Sequence, residues 1–190
     1  MKFKEWYFHV AIIAFCTSFL SSLAYADSFS IAKGYQENSN NTHSDAYAVK
    51  YIHDINKQFD IGLLLNNSKN KTTDGIVSQY EISTKYKVPV ASRTLVYGGT
   101  VLGSLQPSGT TSRNYAGIEV GVMTKPFSKV GLRLDHTLMT GVNVSTMDNN
   151  FTKVWLAYDL TKSDIVALRR DFMRGDLEFD AWRLIYQHKF

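Results

Sequence analysis

The sequence predicts an all-β protein, a closed antiparallel transmembrane β-barrel of ten strands, with eight strands as the alternative. Three observations carry this expectation. Apolar residues recur at every second position in segments of about ten residues, the period of a strand with one apolar face. Ionisable residues occupy the intervening positions. The connections alternate between tight turns and longer polar stretches, as they do in membrane barrels.

Taken in order, the first segment holds Phe29, Ile31 and Tyr35, the second Tyr47, Val49 and Tyr51, and the third Phe59, Ile61, Leu63 and Leu65. The fourth carries Ile76, Tyr80, Ile82, Tyr86 and Val88, and the fifth Leu95, Tyr97 and Val101. Ile118, Val120 and Val122 mark the sixth, and Val130, Leu132, Leu134 and Leu138 the seventh. The eighth has Val154, Leu156, Tyr158 and Leu160, and the ninth Val166, Leu168 and Phe172. The chain ends on Trp182, Leu184, Tyr186, His188 and Phe190.

Tight turns are expected at 54–56, 89–91, 125–127 and 161–163. Longer polar stretches are expected at 37–44, 66–75, 104–112 and 141–150, with a brief exception at 174–177. An even strand number returns both chain ends to one rim.

Alternation alone also suits a soluble barrel, which would bury its apolar face inward. The number of aromatics, the charge on the other face and the absence of a helical period near the end favour the membrane form. Its lipid face is then the apolar set, with Tyr suited to interfacial belts. Lys33 and Arg170 are the awkward members, placed where long side chains can snorkel to headgroups. The inward set is charged: Lys50, Asp60, Glu81, Lys85, Lys87, Glu119, Arg133, Asp135, Lys153, Asp159, Arg169, Asp171 and Arg183. Trp155 shares its parity. A lumen ion network of Glu81, Glu119, Arg133, Asp135, Lys153 and Arg183 is expected. A turn centred on Pro126 would set Glu119 directly across from Arg133, whereas a one-step slip would oppose Glu119 to Asp135, which like charges disfavour. The network would fill a narrow interior, or else form a constriction that sorts solutes by charge.

Residues 1–26 read as a secretory leader. Lys2 and Lys4 form the basic start, an apolar run follows, and Ala24 and Ala26 mark a small-x-small cleavage site. The sole cysteine, Cys16, lies in this leader behind Phe15, too large for a lipoprotein site, so the mature chain is expected to have no thiol chemistry. Taking Lys2, Lys4 and Glu5 from the 21 Lys plus Arg and 17 Asp plus Glu leaves 19 against 16, a net charge of +3. That mild excess, without a basic run, argues against nucleic acid. No mature segment reaches the roughly 18 apolar residues of a helical span.

The final strand, with Trp182, Leu184, Tyr186 and a terminal Phe190, resembles the C-terminal assembly signal of bacterial outer-membrane β-barrels. The mature chain, 27–190, is similar to the small OmpX/OmpA-type barrels, the porin-like family. The resemblance implies a Gram-negative outer-membrane location with both termini periplasmic. It also implies insertion by the barrel assembly machinery, with lipid and lipopolysaccharide as surroundings. Its implied roles are structural or narrow porin-like. A surface binder of host ligands acting through its loops is the alternative, and a lipid-modifying envelope enzyme a more distant one.

Catalytic chemistry finds little support. His136 sits beside Asp135, but neighbours on a strand face opposite ways, so Asp135 cannot orient it. His53 and His188 fall on the outward face near the terminal rim, and His43 lies in a polar loop. No paired aspartates with an Asp/His couple and no His-x-Ser arrangement occur, and no metal-ligand spacing appears, so neither a catalytic site nor a cofactor is expected. The loops are rich in Asn, Ser and Thr with almost no aromatic anchors. Removing Phe190 is expected to lower the amount of inserted barrel and leave periplasmic aggregate, measured by heat-modifiable migration of the membrane fraction.

Overall fold

The computed structural model describes residues 27–39, 42–143 and 147–190, so the leader with Ala24 and Ala26 lies outside the described residues. Ten antiparallel strands form one closed barrel, and the described residues contain no helix. The strands are β1 (Ser28–Asn38), β2 (His43–Asp54), β3 (Phe59–Asn70), β4 (Ile76–Ala91), β5 (Thr94–Pro107), β6 (Arg113–Thr124), β7 (Val130–Gly141), β8 (Asn149–Asp159), β9 (Asp164–Gly175) and β10 (Phe179–Lys189). Each pairs with its sequence neighbours, and β1 pairs with β10 to close the ring.

Ring closure is fastened at the rim that holds both ends of the described chain, here the terminal rim. Phe190 N–H donates to the Asp27 carbonyl at 2.9 Å. The buried Asp27 carboxylate accepts from Tyr51 Oη at 2.6 Å and lies 2.7 Å from His53 Nδ1. Across the seam Asp164 accepts from Tyr186 Oη at 2.7 Å and lies 2.8 Å from His188 Nδ1. His53 and His188 thus sit on the outward face near this rim, as expected, each held by an aspartate.

The pleat divides the side chains as the alternation requires. Outward positions are large and apolar, among them Leu102, Ile118 and Leu184, each 60% exposed or more. Trp182, Tyr186 and Phe190 share that face. Inward positions hold the ionisable groups, with Asp135 and Asp171 at 0%. Arg170 does face outward but is not a lone cation. Its Nη2 lies 2.8 Å from Asp180 Oδ2, and its guanidinium stacks on Trp182 and Phe172. Lys33 lies over the Tyr47 ring.

Three expectations are corrected. The fifth-strand set Leu95, Tyr97 and Val101 points inward, with Tyr97 and Val101 buried and Val96 and Leu102 outside. Both faces of β5 are apolar, so alternation could not fix its parity. Tyr97 faces Gly121 across the β5–β6 pair, and Tyr115 faces Gly103. A side chain at either glycine would collide with the opposing ring, so each glycine is a socket for a lumen tyrosine.

The second correction concerns register. The β6–β7 connection spans 125–129, longer than the turn expected at 125–127, so Glu119 pairs with Thr137 and Arg133 with Met123. The displacement is even, which is why both residues still face inward. The third concerns loops. Strands run well into the polar stretches, leaving connections of only 39–42, 71–75, 108–112, 142–148 and 176–178 at the distal rim. The turn expected at 89–91 lies at 92–93, because β4 continues through Pro89 with a bulge before Ala91. Short connections need few turn residues when the polar strand ends are themselves paired.

Ile118 lies mid-strand on the lipid-facing side. Replacing it by arginine is expected to destabilise the barrel by about 2–4 kcal/mol, and Asn114→Arg near the rim by about 0–1 kcal/mol. Denaturant titration of barrel folded into lipid vesicles measures both.

Candidate functional site in the barrel lumen

The charged inward residues form groups that span the barrel wall to wall. Glu119 on β6 is the centre of the largest. Its Oε1 pairs with Lys85 Nζ from β4, its Oε2 lies 3.0 Å from Lys153 Nζ of β8, and Thr137 Oγ1 donates to it at 3.2 Å. Arg133 reaches the same carboxylate, Nη2 to Oε1 at 4.0 Å, although it is not opposite in the ladder. Its closer partner is Asp135 two residues along its own strand, with Nε 2.9 Å from both carboxylate oxygens. Trp155 Nε1 donates to Asp135 Oδ2 at 2.9 Å. The expected Glu119–Arg133 contact is therefore a long one inside a four-residue cluster, and the Lys85 and Lys153 pairs are the short ones.

A second group lies on β9 and β10. Arg183 and Arg169 are direct cross-strand partners, an arrangement that would repel alone. Asp171 lies between them, 2.6 Å from Arg169 Nε and 2.7 Å from Arg183 Nε. Arg183 Nη1 also donates to Asn66 on β3 at 3.1 Å, a bridge past β1 and β2. Glu81 accepts from Tyr115 Oη at 2.9 Å, and Gln79 Nε2 donates to that hydroxyl at 2.7 Å. Nearer the terminal rim Lys87 Nζ lies 2.9 Å from Asp54 and 3.1 Å from Asp60, and Lys125 pairs with Asp159 at 2.7 Å.

Aromatic rings order these cations. Arg133 packs over both Tyr97 and Trp155, Arg169 also over Trp155, and Lys85 over Tyr97. Such stacking is worth about 0.5–2 kcal/mol per pair, more when desolvated. It holds the guanidinium planes against the wall. Trp155 points inward as its parity implied, but Tyr97 and Tyr115 are lumen residues that alternation did not identify. Their signal was the glycine across the ladder, visible only once the register is known.

The interior is partly open. One cavity of about 980 Å³ is lined by residues from the terminal rim, such as Ser28 and Lys189, to the distal rim, such as Asn38 and Glu178. Its two walls differ. β1 and the distal half of β2 turn Ser28, Ser30, Ala32, Gly34, Ala46 and Ala48 inward, whereas most of the charged and aromatic side chains come from β4 to β9, with Lys50 and Asp54 from β2, Asp60 from β3 and Arg183 from β10. In the distal half Val101, Tyr115, Met139, Met147 and Met173 make an apolar cluster, with Phe151 and Phe179 packed on it.

His136 faces outward and lies 2.9 Å from Thr152 Oγ1 while Asp135 faces the lumen. His43 stacks on Tyr35 at the distal rim. Among the described residues no cluster of three metal-ligating side chains occurs.

No family model matches the sequence, and no curated relative matches it either. Solved structures do. An outer membrane channel from Pseudomonas putida F1 is similar with a TM-score of 0.57 at 9% identity, over 89% of this chain and 97% of the channel. The NanC porin gives 0.56 at 13% identity, over 85% of this chain and all of the porin, 100%. At such identities the likeness is one of fold. The chain is a closed, ten-stranded transmembrane β-barrel of the architecture used by outer-membrane channels and porins, with no preference for the OmpX/OmpA type, whose barrels have about eight strands.

Glu119→Gln removes the buried charge that the three lumen cations Lys85, Lys153 and Arg133 share. It is expected to lower barrel stability by about 3–5 kcal/mol, since the partners are left uncompensated. Unfolding of the vesicle-inserted barrel measures it, with Lys33→Gln on the outer face as the near-neutral reference.

Proposed function

We propose that the chain is an integral outer-membrane barrel with a narrow, porin-like lumen that passes small solutes. The observation that carries this reading is the single cavity running past the ion network from one rim to the other. Both termini lie in the periplasm in this reading, after a leader is cleaved beyond Ala26. The assembly machinery reads the strand ending in Trp182, Leu184, Tyr186 and Phe190. Outer-membrane lipid surrounds the apolar face, and Lys33 with the Arg170–Asp180–Arg174 group meets lipopolysaccharide headgroups. The chemistry argues for transport of solutes rather than their conversion.

A structural role is the second reading, favoured by the apolar distal cluster and by the Arg183–Asn66 bridge, both of which narrow the lumen. A loop-based binding role draws less support, because the distal connections are short. Planar-bilayer recording separates the first two. Discrete current steps from the purified wild-type barrel are expected. A silent wild type that conducts only after Arg133→Ala would favour the structural barrel.

A further inference from the structure

The lumen charges are sorted by depth. The carboxylates lie at the wall, with Glu119 at 3% exposure and Asp135 and Asp171 at 0%. The side chains of Arg133, Lys153 and Arg169 that bind them remain 23%, 13% and 16% exposed. Where Arg133, Lys153 and Arg169 cover Glu119, Asp135 and Asp171, a solute in the cavity meets N–H donors before carboxylate oxygens.

The count is also unequal. In the middle of the barrel six cations, Lys50, Lys85, Arg133, Lys153, Arg169 and Arg183, face five carboxylates, Glu81, Glu119, Asp135, Asp171 and Asp60, the ladder partner of Lys85. Arg169 and Arg183 share Asp171. Lys50 has no carboxylate at ion-pair distance among the described residues. Its stem lies over Gly62, where a Cβ would stand 3.2 Å from Lys50 Cε. At the terminal rim Lys162 and Lys189 line the same cavity beside the balanced Lys87–Asp54 and Lys125–Asp159 pairs. The distal Asp176 and Glu178 are exposed to bulk water, where salt screens their charge.

We propose that this mid-lumen zone is an anion-selective constriction for small oxyanions, carboxylate or phosphate, which pass along the Ser30–Ala32–Ala48 wall, beside Lys50 and opposite the Arg133 and Lys153 donors. The inference rests on the porin reading and adds the class of solute. Uncompensated charge in a water thread walled by low-dielectric protein acts far more strongly than on an open surface. Fixed positive charge at a constriction lowers the entry barrier for anions and raises it for cations. The small-residue wall contributes clearance without a competing acceptor.

The test is the zero-current potential of the purified barrel in a planar bilayer under a potassium chloride gradient, repeated with potassium acetate and potassium phosphate. The expected potential has the sign of anion permeation, with current maintained in acetate and phosphate. Lys50→Glu is expected to shift the anion-to-cation permeability ratio toward potassium by about threefold or more, a field effect at a narrow point. Ala48→Glu, two residues along β2 on the same inward face, is expected to act in the same direction, and keeps the test alive should Lys50→Glu fail to assemble. A cation-selective wild type, or ratios unmoved in the assembled variants, would overturn the inference while leaving the porin reading intact. Absence of current from assembled wild-type barrel would contradict the porin reading itself.

Discussion

Ring closure is the constraint on which the rest of the structure depends. In hydrocarbon no water is present to satisfy a backbone N–H or C=O, and each one left open costs several kcal/mol. A sheet meets that demand only by having no edge. β1 and β10 provide it, running in register from Ser28 against Lys189 to Asn38 against Phe179. Asp27 and Phe190 extend the seam by one further backbone hydrogen bond. Once the ring is closed, the pleat leaves two surfaces, one for lipid and one enclosed.

The enclosed surface then has its own problem, because charged side chains from facing walls meet in little water. The solution is sharing. Glu119 serves Lys85, Lys153 and, at longer range, Arg133, and Asp171 serves two arginines that would otherwise repel. Aromatic faces take part of the cationic charge, and glycines opposite Tyr97 and Tyr115 make the room. Because β1 turns small residues inward from Ser28 to Gly34 and β2 from Ser44 to Ala48, most of the network crowds the other strands and part of the cavity remains along these two. The same distribution that stabilises the wall therefore leaves a path along it.

Much of this was legible in the sequence. Strand number, parity of nine strands and the inward charge set follow from alternation, because only one face of each of those strands is apolar. The parity of β5 was not legible, since Leu95 and Val96 or Val101 and Leu102 are equally apolar neighbours. The β6–β7 register was missed because Pro126 suggested a tight turn where a longer connection, 125–129, lies. An even slip keeps every side chain on its face, so hydrophobic pattern cannot detect it. Asn-, Ser- and Thr-rich stretches read as loops although they are paired strand ends, their polarity reporting height above the apolar belt rather than lack of structure. The inward residues were legible but the network was not: the expected set left out Lys85, Arg169 and Asp171, Glu81 makes no ion pair among the described residues, and long side chains reach past their ladder partners.

The account's central claim is the division between a lipid-facing apolar surface and an enclosed ionised one. Single cysteines test it most directly, with Cys16, the one cysteine of the sequence, replaced by serine. Fluorophores placed through Leu134→Cys and Ile118→Cys are expected to be quenched by lipid-dissolved quenchers and shielded from aqueous iodide. One placed through Ala48→Cys is expected to show the reverse. Aqueous quenching at positions 134 and 118 together with lipid quenching at 48 would contradict the barrel's orientation of its two faces.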